Sequence, residues 1–190
     1  MKLVFATHNP NKLTEVRALL PKHIELVGLD AIDCHEDIPE TSDTIEGNAI
    51  IKANYVSKKY DFDCFADDTG LEVDALNGAP GVHSARYAGA TKDDNANVAK
   101  LLKDLKGETN RKARFKTVIA LNLEREKILF QGIVNGTIAE EPRGDQGFGY
   151  DPVFIPEGYS KTFAELSILE KNKISHRANA IRELIDYLKT

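Results

Sequence analysis

Three acidic side chains have the types and spacing for a metal site. Asp67 and Asp68 directly follow the apolar segment 64–66, and Glu40 lies upstream in a stretch without periodicity. Adjacent carboxylates repel each other unless water or a shared cation offsets the repulsion. Mg²⁺ prefers a few carboxylates together with waters and phosphate oxygens. The run 67–70, Asp-Asp-Thr-Gly, is equally typical of an ordinary turn, so a magnesium site and a plain turn are both open.

The run 7–12, Thr-His-Asn-Pro-Asn-Lys, connects a short apolar strand to a helix and could bind an anion. Asn9 can cap the helix, and Pro10 suits its first position. Free N–H groups and the helix dipole would then favour a negative ligand. Lys12 would lie in the first turn, where a cation is disfavoured unless something negative is near. A simple capped helix start is the alternative, and no Gly-x-x-x-x-Gly-Lys run indicates the usual P-loop.

A polar stripe and an aromatic loop complete the candidates. Asn48, Lys52 and Tyr55 share a helix face, which is usually solvated surface but here belongs to a helix between Glu40 and the acidic pair. Further on, the run 147–151, Gly-Phe-Gly-Tyr-Asp, presents an aromatic ring in a flexible loop, which suits stacking on a flat base.

The last helix begins with a second site at which cations lie in a first helical turn. His176 and Arg177 fall in its first turn, where the dipole disfavours positive charge. A His or Arg at such a position usually lies on the protein surface and binds no ligand. Together with Lys12 they make two sites of this kind in one chain, which favours a bound anionic ligand.

Helices and strands alternate in the first half of the chain, and a hairpin follows in the second, which predicts an α/β domain with a mixed sheet. The hydrophobic periodicity places these elements. We expect strands at 3–6, 24–29, 64–66, 71–73, 113–123 and 127–138, helices at 11–20, 44–60, 93–105 and from 175 onward, a turn at 67–70 and a loop at 142–156.

Composition limits the classes of function. The 190 residues carry a formal charge of -5, with 42% hydrophobic and 29% charged residues. A sequence-independent grip on a nucleic-acid backbone is not expected at this charge. No apolar run is long enough for a signal peptide or a membrane span. Cys34 and Cys64 form no CxxC pair, which predicts reduced thiols in a cytoplasmic protein.

Six segments, taken in order, resemble the inosine triphosphate pyrophosphatase family, also called the non-canonical purine nucleotide pyrophosphatases. The resemblance extends from residue 2 to about residue 188. Each segment alone is a weak match, but six in the right order are strong. They are 7–12 THNPNK, 48–53 NAIIKA, 66–71 ADDTGL, 78–87 GAPGVHSARY, 147–152 GFGYDP and 174–177 ISHR.

The resemblance implies a single domain over residues 1–190, with an elongated two-lobed α/β fold, a central nucleotide-binding cleft and commonly a homodimer. It implies Mg²⁺ at Glu40 and Asp68, with Asp68 as the catalytic base. Further positions would bind substrate: Thr7, His8, Asn9, Pro10, Asn11, Lys12, Lys52 and Lys171 at the triphosphate, Thr69 on the bound substrate, and Phe148, Gly149, Tyr150, Asp151, His176 and Arg177 around the base.

The implied reaction is hydrolysis of purine nucleoside triphosphates such as ITP, dITP and XTP to the monophosphate and pyrophosphate. Asp68 would orient or deprotonate a water attacking the α-phosphorus. Lys12 and Lys52 would stabilise the leaving pyrophosphate. Alternatives are a general nucleoside triphosphate pyrophosphatase, and a nucleotide-binding regulatory module without hydrolysis. Two positions depart from the family pattern: Gly47 replaces a usual Glu, and Ala178 a usual Gly.

Overall fold

The computed structural model describes residues 1–124 and 126–189, and within them helices and strands alternate much as the periodicity predicts. The helices are α1 (Pro10–Arg17), α2 (Ile45–Tyr60), α3 (Asp94–Asp104), α4 (Ile168–Ile174) and α5 (His176–Tyr187). The strands are β1 (Lys2–Phe5), β2 (Glu25–Val27), β3 (Cys64–Val73), β4 (Pro80–Gly81), β5 (Lys112–Leu123), β6 (Glu126–Ile138) and β7 (Phe154–Pro156).

The strands form a mixed sheet, which confirms the predicted fold class. The hydrogen-bonded order is β2-β1-β3-β5-β6-β7, with β4 paired to β3. Strand β1 is parallel to β2 and to β3, with Val4 opposite Val27 and Cys64. The pairs β3–β4 and β6–β7 are antiparallel.

The chain divides into two compact units. The first comprises Met1–Asp68, Thr117–Gly132 and Arg177–Thr190. On one side of its sheet, Phe5 and Phe65 stack at 4.5 Å between ring centroids in a core shared with α1 and α5. On the other side lies α2, whose Ala53 carbonyl accepts a hydrogen bond from the Cys64 thiol. Each face of these strands is therefore covered by helix, which explains the continuous apolar runs.

The second unit comprises Thr69–Lys116 and Ile133–His176. Its core is built from buried aromatic and aliphatic side chains of β3, α3, β5 and the segment 150–166. Phe115, Phe154 and Phe163 form a cluster with ring centroids 4.6 to 6.1 Å apart. The unit therefore has a hydrophobic core of its own.

One local prediction was wrong, one was correct for most of its length, and one helix was missed. The run 67–70 is no turn, because β3 continues through it to Val73. The predicted loop 142–156 is loop up to residue 153, and its last three residues form β7, which pairs with β6. Helix α4 was not predicted, although Ser167 and Glu170 form the reciprocal capping box that marks its start. None of the described helices has the length and apolar character needed to cross a bilayer.

Candidate active site

The acidic pair lies within a strand, and this decides what each carboxylate faces. Successive side chains of a strand point to opposite sides of the sheet. Asp67 therefore lies on the side of Phe65, toward α1 and α5, whereas Asp68 lies on the side of Cys64, toward α2. Both are buried. Two neighbouring carboxylates thus belong to separate environments.

Asp67 is held by two cations. Lys12 Nζ donates to its Oδ1 at 2.7 Å, and Arg177 Nε donates to its Oδ2 at 2.9 Å. Arg177 also pairs through Nη1 with Glu15, a buried residue on α1. Burial alone would raise the pKa of Asp67, but the charges of Lys12 and Arg177 outweigh it and hold the pKa well below its usual value. Asp67 is therefore an ionised acceptor with both oxygens engaged.

These pairs explain Lys12 and Arg177, two of the cations in first helical turns, from within the protein. Lys12 lies in the first turn of α1 and Arg177 in that of α5, and the negative partners that offset the cost are Asp67 and Glu15. A bound anion is therefore not required to explain these cations.

Asp68 has a different environment. Lys52 Nζ donates to its Oδ1 at 3.1 Å and to Glu40 Oε1 at 2.8 Å, so one ammonium bridges two carboxylates. Among the described residues, no hydrogen-bond partner is available to the buried Oδ2 of Asp68. Burial raises the pKa of Asp68, and the charges of Lys52 and Lys12 offset this only partly. The pKa of Lys52 would fall with burial, but Asp68 and Glu40 raise it.

Glu40 and Asp68 suit a hard divalent cation. Both supply carboxylate oxygens, and Asp68 Oδ2 is an acceptor for which the described part of the chain provides no donor. Residues 1–124 and 126–189 contain no ready-made group of three or more His, Cys, Asp or Glu ligands. Mg²⁺ is commonly held by one or two carboxylates and completes its shell with water and phosphate oxygens. The donor set therefore fits Mg²⁺ bound together with a phosphate ligand.

The turn at residues 7–12 is closed by its own hydrogen bonds. Asn9 N donates to Thr7 Oγ1 at 3.1 Å, and the amides of Asn11 and Lys12 donate to Asn9 Oδ1 at 2.9 and 3.4 Å. His8 Nε2 donates to the Glu36 carbonyl at 3.1 Å. Asn9 and Pro10 begin α1 as predicted. The expected free N–H groups at positions 11 and 12 are absent, because the Asn9 side chain accepts from both.

The second unit contains the residues predicted around the base, apart from Arg177. Asp151 Oδ2 accepts from Phe148 N at 2.9 Å and from Lys171 Nζ at 2.6 Å. The Lys171 ammonium also lies over the Phe148 ring, 5.1 Å from its centroid. Lys171 was predicted at the triphosphate, but its charge is paired here with Asp151.

Further hydrogen bonds fix the loop that carries Phe148. Gly149 N donates to Asp94 Oδ2 at 2.8 Å, and Tyr150 Oη donates to the Ser84 carbonyl at 2.7 Å. Thr69 is half-buried and begins this unit directly after Asp68. The loop is thus held by α3 and by the 78–87 segment, for which the sequence indicated no role.

His176 and Arg177 were predicted together at the base but point differently. Neighbouring residues on a helix differ in direction by about 100°. The buried His176 ring stacks on Phe115 at 4.5 Å and 19° in the second unit. The Arg177 guanidinium contacts Asp67 and Glu15 in the first. The two side chains therefore have different partners, His176 in the second unit and Arg177 in the first.

Residues 3–187 match the model of the Ham1 family. The chain belongs to the Ham1 family. A relative from Christiangramia forsetii named dITP/XTP pyrophosphatase is 62% identical over 188 residues, which cover 99% of each chain. One of the same name from Bacillus subtilis is 49% identical over 185 residues, covering 95% of this chain and 93% of that one. The Staphylococcus aureus Ham1 protein structure has a TM-score of 0.90 at 42% identity, covering 100% of this chain and 98% of that one.

These matches confirm the family indicated by the six segments. In this Ham1-family chain, sequence reasoning missed the partners that orient the site, namely Glu15 and Asp94. The signal for Glu15 was its position three residues after Lys12 on a predicted helix. No local signal pointed to Asp94, because its bond to Gly149 joins residues 55 positions apart.

Proposed function

We propose that this protein hydrolyses non-canonical purine nucleoside triphosphates, namely ITP, dITP and XTP, to the nucleoside monophosphate and pyrophosphate. The observation that carries the proposal is the buried Asp68 Oδ2, which has no hydrogen-bond partner among the described residues and lies beside Lys52 and Glu40. The names of the C. forsetii and B. subtilis relatives support the substrate class.

Asp68 is the proposed catalytic base. Oδ2 would orient a water, and accept its proton, for attack on the α-phosphorus. Lys12 and Lys52 would place positive charge near the departing pyrophosphate. Glu40 and Asp68 would hold Mg²⁺, which when bound neutralises charge on the phosphates.

The remaining predicted contacts belong to the proposal as well. We assign Phe148, Gly149, Tyr150 and His176 to the purine, and place Asp151 and Lys171 with them because they pair beside Phe148. Thr69 and residues 7–11 are proposed to contact the substrate, and Arg177 to act through Asp67 and Glu15.

Selectivity would follow from the oxygen at purine position six. Hypoxanthine and xanthine present an acceptor there, whereas adenine presents an amino group. A donor aimed at that position would be left unpaired by adenine, at a cost of about 1 to 3 kcal/mol for each buried group. His176 or a backbone N–H of residues 148–150 would supply the donor.

The setting of the reaction completes the proposal. We infer a cytoplasmic homodimer that acts on free nucleotides and binds neither nucleic acid nor membrane. The acidic balance, a net charge of -5, supports the exclusion of a nucleic-acid backbone. Sedimentation of the purified protein tests the dimer.

The deciding experiment is a Mg²⁺-dependent assay with ITP, XTP, GTP and ATP, in which the products are separated by chromatography. The expected products are monophosphate and pyrophosphate, formed rapidly from ITP and XTP but slowly from ATP. Diphosphate and orthophosphate would mean attack at the γ-phosphorus and would refute the role of Asp68. Binding without turnover would instead favour a regulatory module.

A further inference from the structure

One face of α2 carries four polar side chains, Asn48, Lys52, Tyr55 and Lys59, at positions i, i+4, i+7 and i+11. From the sequence the first three were grouped as one stripe, usually solvated surface, in which only Lys52 was of interest; Lys59 extends this stripe. In the structure it contacts residues 36–42, here called the Glu40 loop, which contain neither helix nor strand. The face and the loop both belong to the first unit.

Glu36 ties the beginning of the Glu40 loop to the end of α2. Its Oε1 accepts hydrogen bonds from Tyr55 Oη at 2.7 Å and Tyr60 Oη at 2.8 Å, and also from Lys59 Nζ. The bonds from Lys59 and Tyr55 hold the pKa of Glu36 well below its usual value, so the anchor is ionised at neutral pH. The Glu36 carbonyl accepts from His8, which ties the same residue to the 7–12 turn.

Ser42 ties the other end of the loop to the start of α2. Its amide donates to Asn48 Oδ1 at 2.9 Å, and Asn48 is buried. Its Oγ accepts from Thr44 N at 3.1 Å, directly before the helix begins. Glu40 lies between the two anchors, and its carboxylate accepts from Lys52 in the middle of the same face.

We propose that this face of α2 positions Glu40 for the metal, and that Glu36 and Tyr55 are positioning residues of that site. The inference rests on the proposed metal role of Glu40. Fixing both ends of an irregular segment removes conformations from it before the ligand arrives. The Glu40 carboxylate then meets the metal without first paying for the ordering of its loop.

Exposure separates this role from a purely structural one. The side chains of Glu36 and Lys59 are 36% and 52% exposed, and ion pairs this exposed contribute little to stability. Loss of the anchor should therefore weaken metal binding while leaving the thermal stability of the protein almost unchanged.

The test uses Tyr55→Phe and Glu36→Gln, which keep shape and alter the anchor. Tyr187→Phe is the matched control, since Tyr187 Oη also donates to a carboxylate, Glu126 Oε2 at 2.7 Å, within the same unit. Mn²⁺ binding is measured by electron paramagnetic resonance in the presence of a non-hydrolysable ITP analogue. We expect the two loop variants to bind Mn²⁺ about tenfold more weakly than wild type, with the control unchanged.

Amide hydrogen exchange of residues 36–42, measured without metal, reports on the anchor itself. Exchange should be faster in Tyr55→Phe and Glu36→Gln than in wild type and the control. Unchanged exchange, or faster exchange with unchanged Mn²⁺ affinity, would overturn the inference and leave the proposed reaction intact. A wild-type protein that binds no Mn²⁺ and releases no pyrophosphate would overturn the proposed function instead.

Discussion

At the scale of single residues, Asp67 and Asp68 differ in the partners of their second carboxylate oxygens. Asp67 Oδ2 accepts from Arg177, whereas Asp68 Oδ2 has no partner in the described part of the chain. Side-chain direction alone creates this difference, because both residues follow one another in β3. We therefore assign the proposed role of catalytic base to Asp68, and to Asp67 the role of holding Lys12 in place.

Asp68→Asn should abolish most of the activity while nucleotide binding is retained. The amide keeps the size of the side chain but cannot accept the proton of the attacking water. Turnover of ITP should fall by about 10² to 10⁴, measured as kcat, with analogue affinity followed by calorimetry. Turnover near the wild-type rate would remove Asp68 from the role of base.

Asp67→Asn should act on stability instead. Breaking a buried ion pair costs about 3–5 kcal/mol, and this variant leaves Lys12 and Arg177 beside a neutral amide. The pKa of Asp67 is lower in the folded protein than its usual value of 3.8. Its charge therefore contributes stability above that value, and the contribution is lost as pH falls toward the folded pKa.

Urea unfolding near pH 7 and near pH 3 measures this contribution. The difference between wild type and Asp67→Asn should be full at the higher pH and smaller below about pH 4. A difference that grows on acidification would contradict the sign of the pKa shift. Glu36→Gln, with its exposed anchor, is the control that should show little loss of stability.

The sequence indicated the group Glu40, Lys52 and Asp68, and the structure brings these three side chains together. The family resemblance singled out Asp68, but the residues alone did not separate it from Asp67, because a turn was expected at 67–70 and only a strand fixes their opposite directions. The partners of Arg177 were not anticipated for a related reason: Asp67 and Glu15 lie 110 and 162 positions away. Contacts so remote leave no periodic signal.

At the scale of elements, Gly47 in the first turn of α2 is required by its neighbours. A Cβ at this position would lie 1.9 Å from Ser42 Oγ and 2.6 Å from Ser42 Cβ. The departure from the usual Glu is thus linked to the Ser42 side chain, which lies against the first turn of the helix. Because Ser42 is an anchor of the Glu40 loop, the two positions form one local unit.

Gly47→Ala should destabilise the protein although Ala is the better helix former. The higher helix propensity of Ala should stabilise the protein by about 1 kcal/mol, but overpacking against the neighbours costs about 1–3 kcal/mol. In a Ser42→Gly background the two closest contacts are absent and the 2.9 Å contact with Thr44 Oγ1 remains, so the same substitution should become clearly less destabilising. Urea unfolding of the four proteins completes a double-mutant cycle, and stabilisation by Gly47→Ala alone would exclude the clash.

Helix starts were predicted well because their signals are local. Asn9, Thr44 and Asp93 each accept a backbone N–H at the start of a helix, and the predicted boundaries lie within two residues of these caps. The end of α1 was predicted three residues too late. The pairing of strands could not be derived in this way, because the neighbours of β1 are set by packing between distant segments.

At the scale of the whole molecule, a bound substrate analogue should stabilise the folded protein according to its affinity. At 100 times the dissociation constant, the gain is about 2.7 kcal/mol, which for a chain of this size raises the melting temperature by about 5–10 °C. Differential scanning fluorimetry with Mg²⁺ and non-hydrolysable analogues measures the shift. Equal shifts with ITP and ATP analogues at equal concentration would contradict selection at purine position six.

Family and activity class were accessible from the sequence because six segments occur in a fixed order, and the matches to Ham1-family proteins agree with that prediction. The hydrophobic pattern also indicated a mixed α/β sheet. The pairing of strands required the structure, since contacts such as Cys64 with Val4 join residues 60 positions apart.

The continuity of β3 restricts how this segment can evolve. A one-residue deletion ahead of the acidic pair would turn Asp68 to the side of the sheet that carries Lys12 and would place Thr69 opposite Lys52. A one-residue insertion there would instead place Asp67 opposite Lys52. Either change of length would rearrange the side chains on both sides of the sheet at once, while a substitution alters the side chain on one side only. Homologues should therefore differ here by replacement, and alignment gaps between positions 64 and 69 should be rare even where sequence identity is low.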